Sequence, residues 1–323
     1  LAQQYAMSLV YEFKTHQLPQ NRIIVDCAHG ALSHLAPLVL ERLHIPHMVL
    51  NVSPDGTNIN RDAGSEYARI NPGQLGREIQ NYEANLGLAL DGDADRIVFV
   101  DGNGRLYDGD MILAILALAY QREQILRKNT VVTTAMSNSG LAHYLRRHQI
   151  ATRIVKNGDK FITDTLIEDD LTLGGEEIGH IIAHTDELHV TGDGLRTALL
   201  VLNTLASSPN ASLLDLAPGM YKWPQIKVSV WIGRGVRLPN AEEVPGLPAL
   251  LHKTRRAIPD LVSLECRPAS TEPVYRIMLE ARTTETQVLA KHASQIAEHI
   301  QTYLGRSGSP VVILDCAAGG CIE

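Results

Sequence analysis

No CxxC pair and no paired-thiolate zinc spacing occurs in this chain; Cys27, Cys266, Cys316 and Cys321 stand singly, and free thiols in a reducing cytoplasm are expected. Positive charge is not in excess either. The formal net charge of −7 argues against the basic face that nucleic-acid binding requires. It leaves a small anionic substrate open, because a few local cations decide that. No apolar run approaches the roughly 20 residues of a membrane helix, and the opening LAQQYAMSLVYEF lacks the basic n-region and apolar h-region of a signal peptide. An initiating Met is also missing. The first residues read as the middle of a helix, so a fragment or a processed chain is expected. What is present is a soluble, globular composition, 45% hydrophobic and 20% charged, spread over 323 residues, a length suited to two or three domains.

The text divides into blocks. Residues 1–105 open with a helix and continue as strand, turn and helix through RIIVDCAHGAL and LSHLAPLVLERL. The strands HMVLNV and LGLALD follow, with a helix near GQLGREIQNYEA between them. Residues 106–221 repeat this grammar with DMILAILALAYQREQIL, TVVTTAM, LAHYLRRH, ATRIVK, DKFITDTLIED and GLRTALLVLNTLA. Strands alternating with helices indicate α/β domains with largely parallel strands. Residues 222–305 differ. WPQIKVSVWIG, LVSLECRP and PVYRIMLEAR have period-2 patterning and precede a long helix, which reads as a smaller α+β domain with an antiparallel sheet. The fold class expected is therefore α/β, two related domains followed by an α+β domain. The tail 306–323, with VVILDCAAGG echoing RIIVDCAHGA, fits no part of this plan; it reads as the start of a further α/β unit or as a junction, with no function assigned.

The strongest chemical signal is LGLALDGDADRIVFVD. Asp91, Asp93 and Asp95 alternate with the small spacers Gly92 and Ala94. Three carboxylates so close repel one another unless a cation neutralises them, and small spacers let the backbone turn so that the oxygens converge. Hard oxygen ligands with open positions suit Mg²⁺. An EF-hand is excluded, because Arg96 rather than Gly follows the third Asp and no Glu stands at position 12. The bland alternative is a solvated acidic turn. The loop as a whole is expected to be exposed.

Three weaker signals follow. LGGEEIGHII places Glu176 and His180 among glycines after a strand, which suits sugar hydroxyls or, equally, an ordinary hairpin turn. ECRPASTEPVYRIMLEA gathers Arg267, Ser270, Thr271 and Arg276 around one turn, the guanidinium and hydroxyl set a phosphate needs, or else an edge with snorkelling arginines. Ser137, Asn138 and Gly140, and Asp159 with Lys160, lie at strand-to-helix turns, where each reads more readily as a helix cap. His29 and His184 are read as structural.

The order of DGDADR, SNSG, NGDKF, GGEEIGH, TGDGLRTAL and RPASTEPVYRIMLE over residues 5 to 304 resembles the α-D-phosphohexomutase superfamily. The flanking DCAHGA, DGTNIN and YDGDMI are most similar to its phosphoglucosamine mutase branch. The resemblance implies a four-domain enzyme whose first domain carries a phosphoserine that exchanges its phosphoryl group with the sugar through a bisphosphate. It implies Mg²⁺ on Asp91, Asp93 and Asp95, catalytic roles for Arg96 and Lys160, and sugar contacts from Glu176, His180 and Asp159. Arg267, Ser270, Thr271 and Arg276 would grip the non-reacting phosphate. The reaction would interconvert glucosamine 6-phosphate and glucosamine 1-phosphate. The partners implied are a phosphosugar and the missing N-terminal domain, with a homodimer left open.

The chain departs from the family pattern in four places. No serine loop of the first domain is found. Ile178 stands where the sugar loop has serine, Ala269 and Ser270 where the phosphate loop has Ser-Gly, and Glu177 where the branch has Asn. The competing readings are a non-catalytic phosphosugar- or protein-binding relative, a phosphomannomutase- or phosphoglucomutase-type fragment, and a metal-dependent phosphatase, which would need its own nucleophile. This chain alone is expected to lack mutase activity.

Overall fold

A computed structural model of the protein describes residues 1–185, 189–208, 211–233, 238–269, 273–306 and 308–322. Two compact units emerge, Leu1–Tyr221 and Lys222–Glu323.

The first unit begins with α1 (Ala2–Phe13), β1 (Ile23–Asp26), α2 (Leu35–Arg42), β2 (His47–Leu50), α3 (Gly64–Ile70) and α4 (Pro72–Asn81). It continues with β3 (Leu86–Leu90), β4 (Ile97–Asp101) and β5 (Leu106–Tyr107). The strands form a sheet in the order β2-β1-β3-β4-β5, in which β1 runs parallel to both β2 and β3 while β4 and β5 return antiparallel. IIVD and LGLAL are buried along their whole length, as strands covered on both faces must be. Alternate side chains serve different layers: Val25, Leu88 and Phe99 join one core, whereas Ile24, Ala89 and Val98 meet Leu75 and Ile79 of α4 on the other side. The helix α3 lies where sequence patterning gives no helix, in a seven-residue segment too short to display a period.

The pattern then recurs with α5 (Gly109–Arg122), β6 (Thr130–Thr134), α6 (Ser139–Arg147), β7 (Ala151–Val155), α7 (Asp159–Glu168), β8 (Leu173–Gly175), β9 (Ile181–Ala183), α8 (Gly194–Ala206) and α9 (Leu213–Leu216). The second sheet has the order β7-β6-β8-β9, again with a central first strand, two parallel neighbours and an antiparallel return. These are two copies of one three-layer plan. The helix α5 is apolar on nearly every side and correspondingly buried; it packs on β4 and β5 and also on β8 and α6, so one continuous core serves both sheets.

The second unit contains β10 (Gln225–Trp231), α10 (Leu247–Ala257), β11 (Leu261–Pro268), β12 (Val274–Ala281), α11 (Thr286–Tyr303), β13 (Val311–Asp315) and β14 (Cys321–Ile322). Its sheet, β11-β12-β10-β13-β14, is antiparallel throughout. Val228, Val230, Tyr275, Ile277 and Leu279 face α11 in a separate core. The tail does not open another α/β unit: Val311–Val230 and Ile313–Val228 pair across β13 and β10, adding a strand to this sheet.

Candidate functional site

The strand β3 ends at Asp91, and the hairpin to β4 carries the three aspartates. One carboxylate oxygen from each of Asp91, Asp93 and Asp95 lies within 4.8 Å of the others. The loop is not uniformly exposed as expected. Asp93 is exposed and Asp95 half-buried, but Asp91 retains only 2% of its accessible surface. Burial there is tolerable because Arg96 answers it twice: its amide donates to Asp91 Oδ1 at 3.0 Å, and its Nη2 lies 2.6 Å from Oδ2. The same guanidinium reaches Asp95 Oδ1 through Nε at 3.3 Å.

The equivalent hairpin of the second sheet, between β8 and β9, carries Glu176 and His180. The two hairpins touch. Arg96 and His180 form an isolated antiparallel bridge, the Ile97 amide donates to the Gly179 carbonyl at 3.1 Å, and the His180 ring Nδ1 lies 3.1 Å from Asp95 Oδ2. Gly179 has φ of +98°, and a Cβ there would overlap the Ile97 carbonyl, so this approach requires glycine. His180 is 4% exposed. It therefore stands behind Asp95.

The electrostatics follow. Burial pushes the Asp91 carboxyl up to about 7, against the pull of Arg96. The His180 hydrogen bond holds Asp95 down to about 2. Burial alone would lower the His180 imidazole, but Asp95 outweighs it and raises the pKa. Burial raises Glu176, whose Oε1 accepts from the Gly158 amide at 3.0 Å. That bond brings the start of α7 to the Glu176 loop. Asp159 and Lys160 are exposed in its first turn, and the Lys160 amide donates to Asp159 Oδ1 at 2.7 Å. Ile178 is half-exposed in the same hairpin, while Glu177 is 6% exposed and so does not present its charge to solvent.

The donor set fits a hard divalent cation. Three carboxylate oxygens from one tight loop converge, with two of the three side chains open to water, as Mg²⁺ requires when it retains water ligands. Asp91, Asp93 and Asp95 would hold it.

Arg267 and Arg276 lie in the second unit as directly paired residues of β11 and β12. Both are exposed and share the sheet face away from α11, and Arg267 Nε lies 3.9 Å from Glu265 Oε2. Ser270 and Thr271 lie outside the described residues. Of the turn candidates, Asn138 caps α6, its Oδ1 accepting from the Gly140 amide at 3.0 Å. Sequence reasoning gave no role to the TGDG segment, yet Gly192 abuts the His180 ring and the Gly194 amide donates to the Ala94 carbonyl at 2.8 Å. The unassigned motif was itself the available signal.

The family model for phosphoglucomutase/phosphomannomutase alpha/beta/alpha domain II matches residues 3–104, and that for domain III matches residues 108–222. A phosphoglucosamine mutase of Mycobacterium sp. strain KMS is 35% identical over 286 residues, 88% of this chain and 62% of that protein. The phosphoglucosamine mutase of Symbiobacterium thermophilum is 38% identical over 283 residues, 88% of this chain and 61% of its own. The chain thus spans about three fifths of the curated relatives it matches. Among solved structures, the Aspergillus fumigatus N-acetylphosphoglucosamine mutase in complex with GlcNAc-6P and magnesium aligns with a TM-score of 0.68 at 20% identity, over 92% of this chain and 68% of that one. At that identity the likeness concerns the fold alone.

Proposed function

The chain belongs to the α-D-phosphohexomutase superfamily, and from that premise we propose that it is the metal-, sugar- and phosphate-binding part of a phosphoglucosamine mutase that interconverts glucosamine 6-phosphate and glucosamine 1-phosphate. The observation that carries this reading is the direct seating of the three-aspartate hairpin on the Glu176 hairpin through Asp95 and His180. Such an arrangement brings a metal-type acidic loop and a carboxylate on a glycine-rich loop to one place.

In this reading the phosphoserine is carried by the part of the relatives' length that these residues do not span. When bound, Mg²⁺ supplies Lewis-acid stabilisation of charge on the transferring phosphoryl oxygens. The chain's own groups do the rest. Arg96 balances Asp91 and Asp95 and places cationic charge beside the transfer. Glu176 accepts hydrogen bonds from sugar hydroxyls, with Asp159 and Lys160 at its edge. His180 acts through Asp95, which it orients. Arg267 and Arg276, with Ser270 and Thr271, engage the phosphate that does not react, as paired guanidiniums do with a dianion. Cytoplasmic location and a homodimer belong to the same reading. Among the described residues no helix is long and apolar enough to cross a membrane.

A second reading, a phosphosugar-binding relative without catalysis, is favoured by one feature: Ile178 offers no hydrogen bond from the tip of the sugar hairpin. Titration of the purified chain with glucosamine 6-phosphate in the presence of Mg²⁺ tests the binding that both readings share, and they separate on turnover once a phosphoserine-bearing segment is added, which only the mutase reading expects. The mutase reading predicts saturable binding that Glu176→Gln weakens about tenfold or more, and no turnover by this chain alone. Absence of binding to any hexosamine phosphate, or turnover without an added phosphoserine-bearing segment, would contradict it.

A further inference from the structure

The aspartate loop is held from behind at both of its spacers. The Gly92 carbonyl accepts from the Ala31 amide at 2.8 Å, and the Ala94 carbonyl accepts from the Gly194 amide, also at 2.8 Å. Ala94 has φ of +64°, an uncommon conformation for a residue with a side chain, and its own amide donates to the Asp91 carbonyl at 3.1 Å. The peptide planes flanking Ala94 set the directions of Asp93 and Asp95. Fixing this carbonyl therefore fixes where two of the three carboxylates point.

Gly194 is the first residue of α8, and its approach is close: a Cβ would stand 2.7 Å from the Arg96 carbonyl oxygen and 3.0 Å from that of Ala94. Its position depends on Asp193, the α8 N-cap, whose Oδ1 accepts from the Arg196 amide at 2.8 Å. The same Oδ1 accepts from the Tyr5 hydroxyl of α1 at 2.9 Å. Burial raises the Asp193 carboxyl, so its charge depends on these donors. A second tie binds the same two helices. The Arg196 guanidinium grips Glu12 of α1 with Nε at 3.0 and 3.1 Å and Nη2 at 2.8 Å, and its Nη1 donates to the Ala183 carbonyl at 2.9 Å.

We propose that Tyr5 and Asp193 are positioning residues for the aspartate loop: the Tyr5 hydroxyl holds the Asp193 cap, and the cap holds the Gly194 amide against the Ala94 carbonyl. The inference rests on the reading of Asp91, Asp93 and Asp95 as a divalent-cation site. It places a determinant of cation affinity in the N-terminal helix, 86 positions before Asp91 by the numbering of Tyr5 and Asp91. A shift of about half an ångström in a ligand's support is enough to loosen such a site.

Tyr5→Phe tests this, because it removes one hydroxyl and leaves the ring. Mn²⁺ is titrated into the purified chain and followed by its EPR signal, exchange of the Gly194 amide is followed by NMR, and melting is recorded for every variant. The expected result is Mn²⁺ affinity weakened about threefold or more in Tyr5→Phe, with faster Gly194 exchange. Asp193→Asn, which keeps Oδ1 as an acceptor for both donors, should remain near wild type, while Asp193→Ala should lose affinity further. If wild type binds Mn²⁺ and Tyr5→Phe binds it equally, the positioning role is overturned whether or not Gly194 exchange changes. It is also overturned if a core variant with the same melting temperature loses as much affinity. If wild type itself does not bind Mn²⁺, the cation-site reading fails and the inference falls with it.

Discussion

Arg96 spans two carboxylates of unlike environment, and this is what allows the acidic loop to exist in a folded chain. Asp91 is too buried to ionise easily, and Asp95 is held ionised by His180. Among the described residues, Asp260 shows the same logic more simply. Its Oδ2 accepts from the amides of Thr283 and Thr284 at 2.7 and 3.0 Å and from the Thr283 hydroxyl at 2.7 Å, and the Thr284 hydroxyl donates to Oδ1. The Thr284 and Thr283 hydroxyl bonds hold its pKa well below the usual carboxylate range. A carboxyl lowered by folding stabilises the fold fully above its unfolded value of about 4, and that contribution disappears as pH falls through the folded value. Asp260→Ala should therefore lower the melting temperature of the C-terminal unit by about 2–5 °C at pH 7. The gap from wild type should narrow steadily below about pH 4, as thermal scans from pH 7 to 2 would show. A gap independent of pH would assign the effect to something other than the charge.

At the scale of elements, the two chemically marked loops are one hairpin used twice, between β3 and β4 in the first sheet and between β8 and β9 in the second. This explains how much could be read in advance. DGDADR is legible because three like charges in five residues need a reason within the segment itself. The role of His180 is not, because its partner Asp95 lies 85 residues away and only the repeated topology brings the hairpins together. The burial of Asp91 is not legible either: local sequence puts it in a turn, and its 2% exposure emerges only in the folded chain. The period-2 strands and long apolar helices were readable from their patterning. The tail was not, since VVILD pairs with β10, which lies far back in the chain. The helix α5 couples the two sheets, so its core should be sensitive. Leu113→Ala, at a fully buried position, is expected to cost about 2–5 kcal/mol in urea denaturation of the first unit. A loss under about 1 kcal/mol would mean that α5 packs less tightly than its burial implies.

At the scale of the whole molecule, the first unit is an assembly of supports for one short loop. One core carries both α/β sheets, their equivalent hairpins meet, and the turns after β1 and before α8 hold the loop's spacer carbonyls. The C-terminal unit adds a pair of facing arginines on a sheet of its own. Membership in the superfamily accounts for this plan, and the departures at Ile178 and Ala269 lie outside the aspartate loop. The most direct test is a calorimetric titration of the purified chain with Mg²⁺, compared with Asp93→Asn, whose exposed side chain can change without disturbing the core. The account predicts one ion per chain for wild type and affinity weakened about tenfold or more in the variant, with melting unchanged. Equal Mg²⁺ affinity in the two proteins would contradict it.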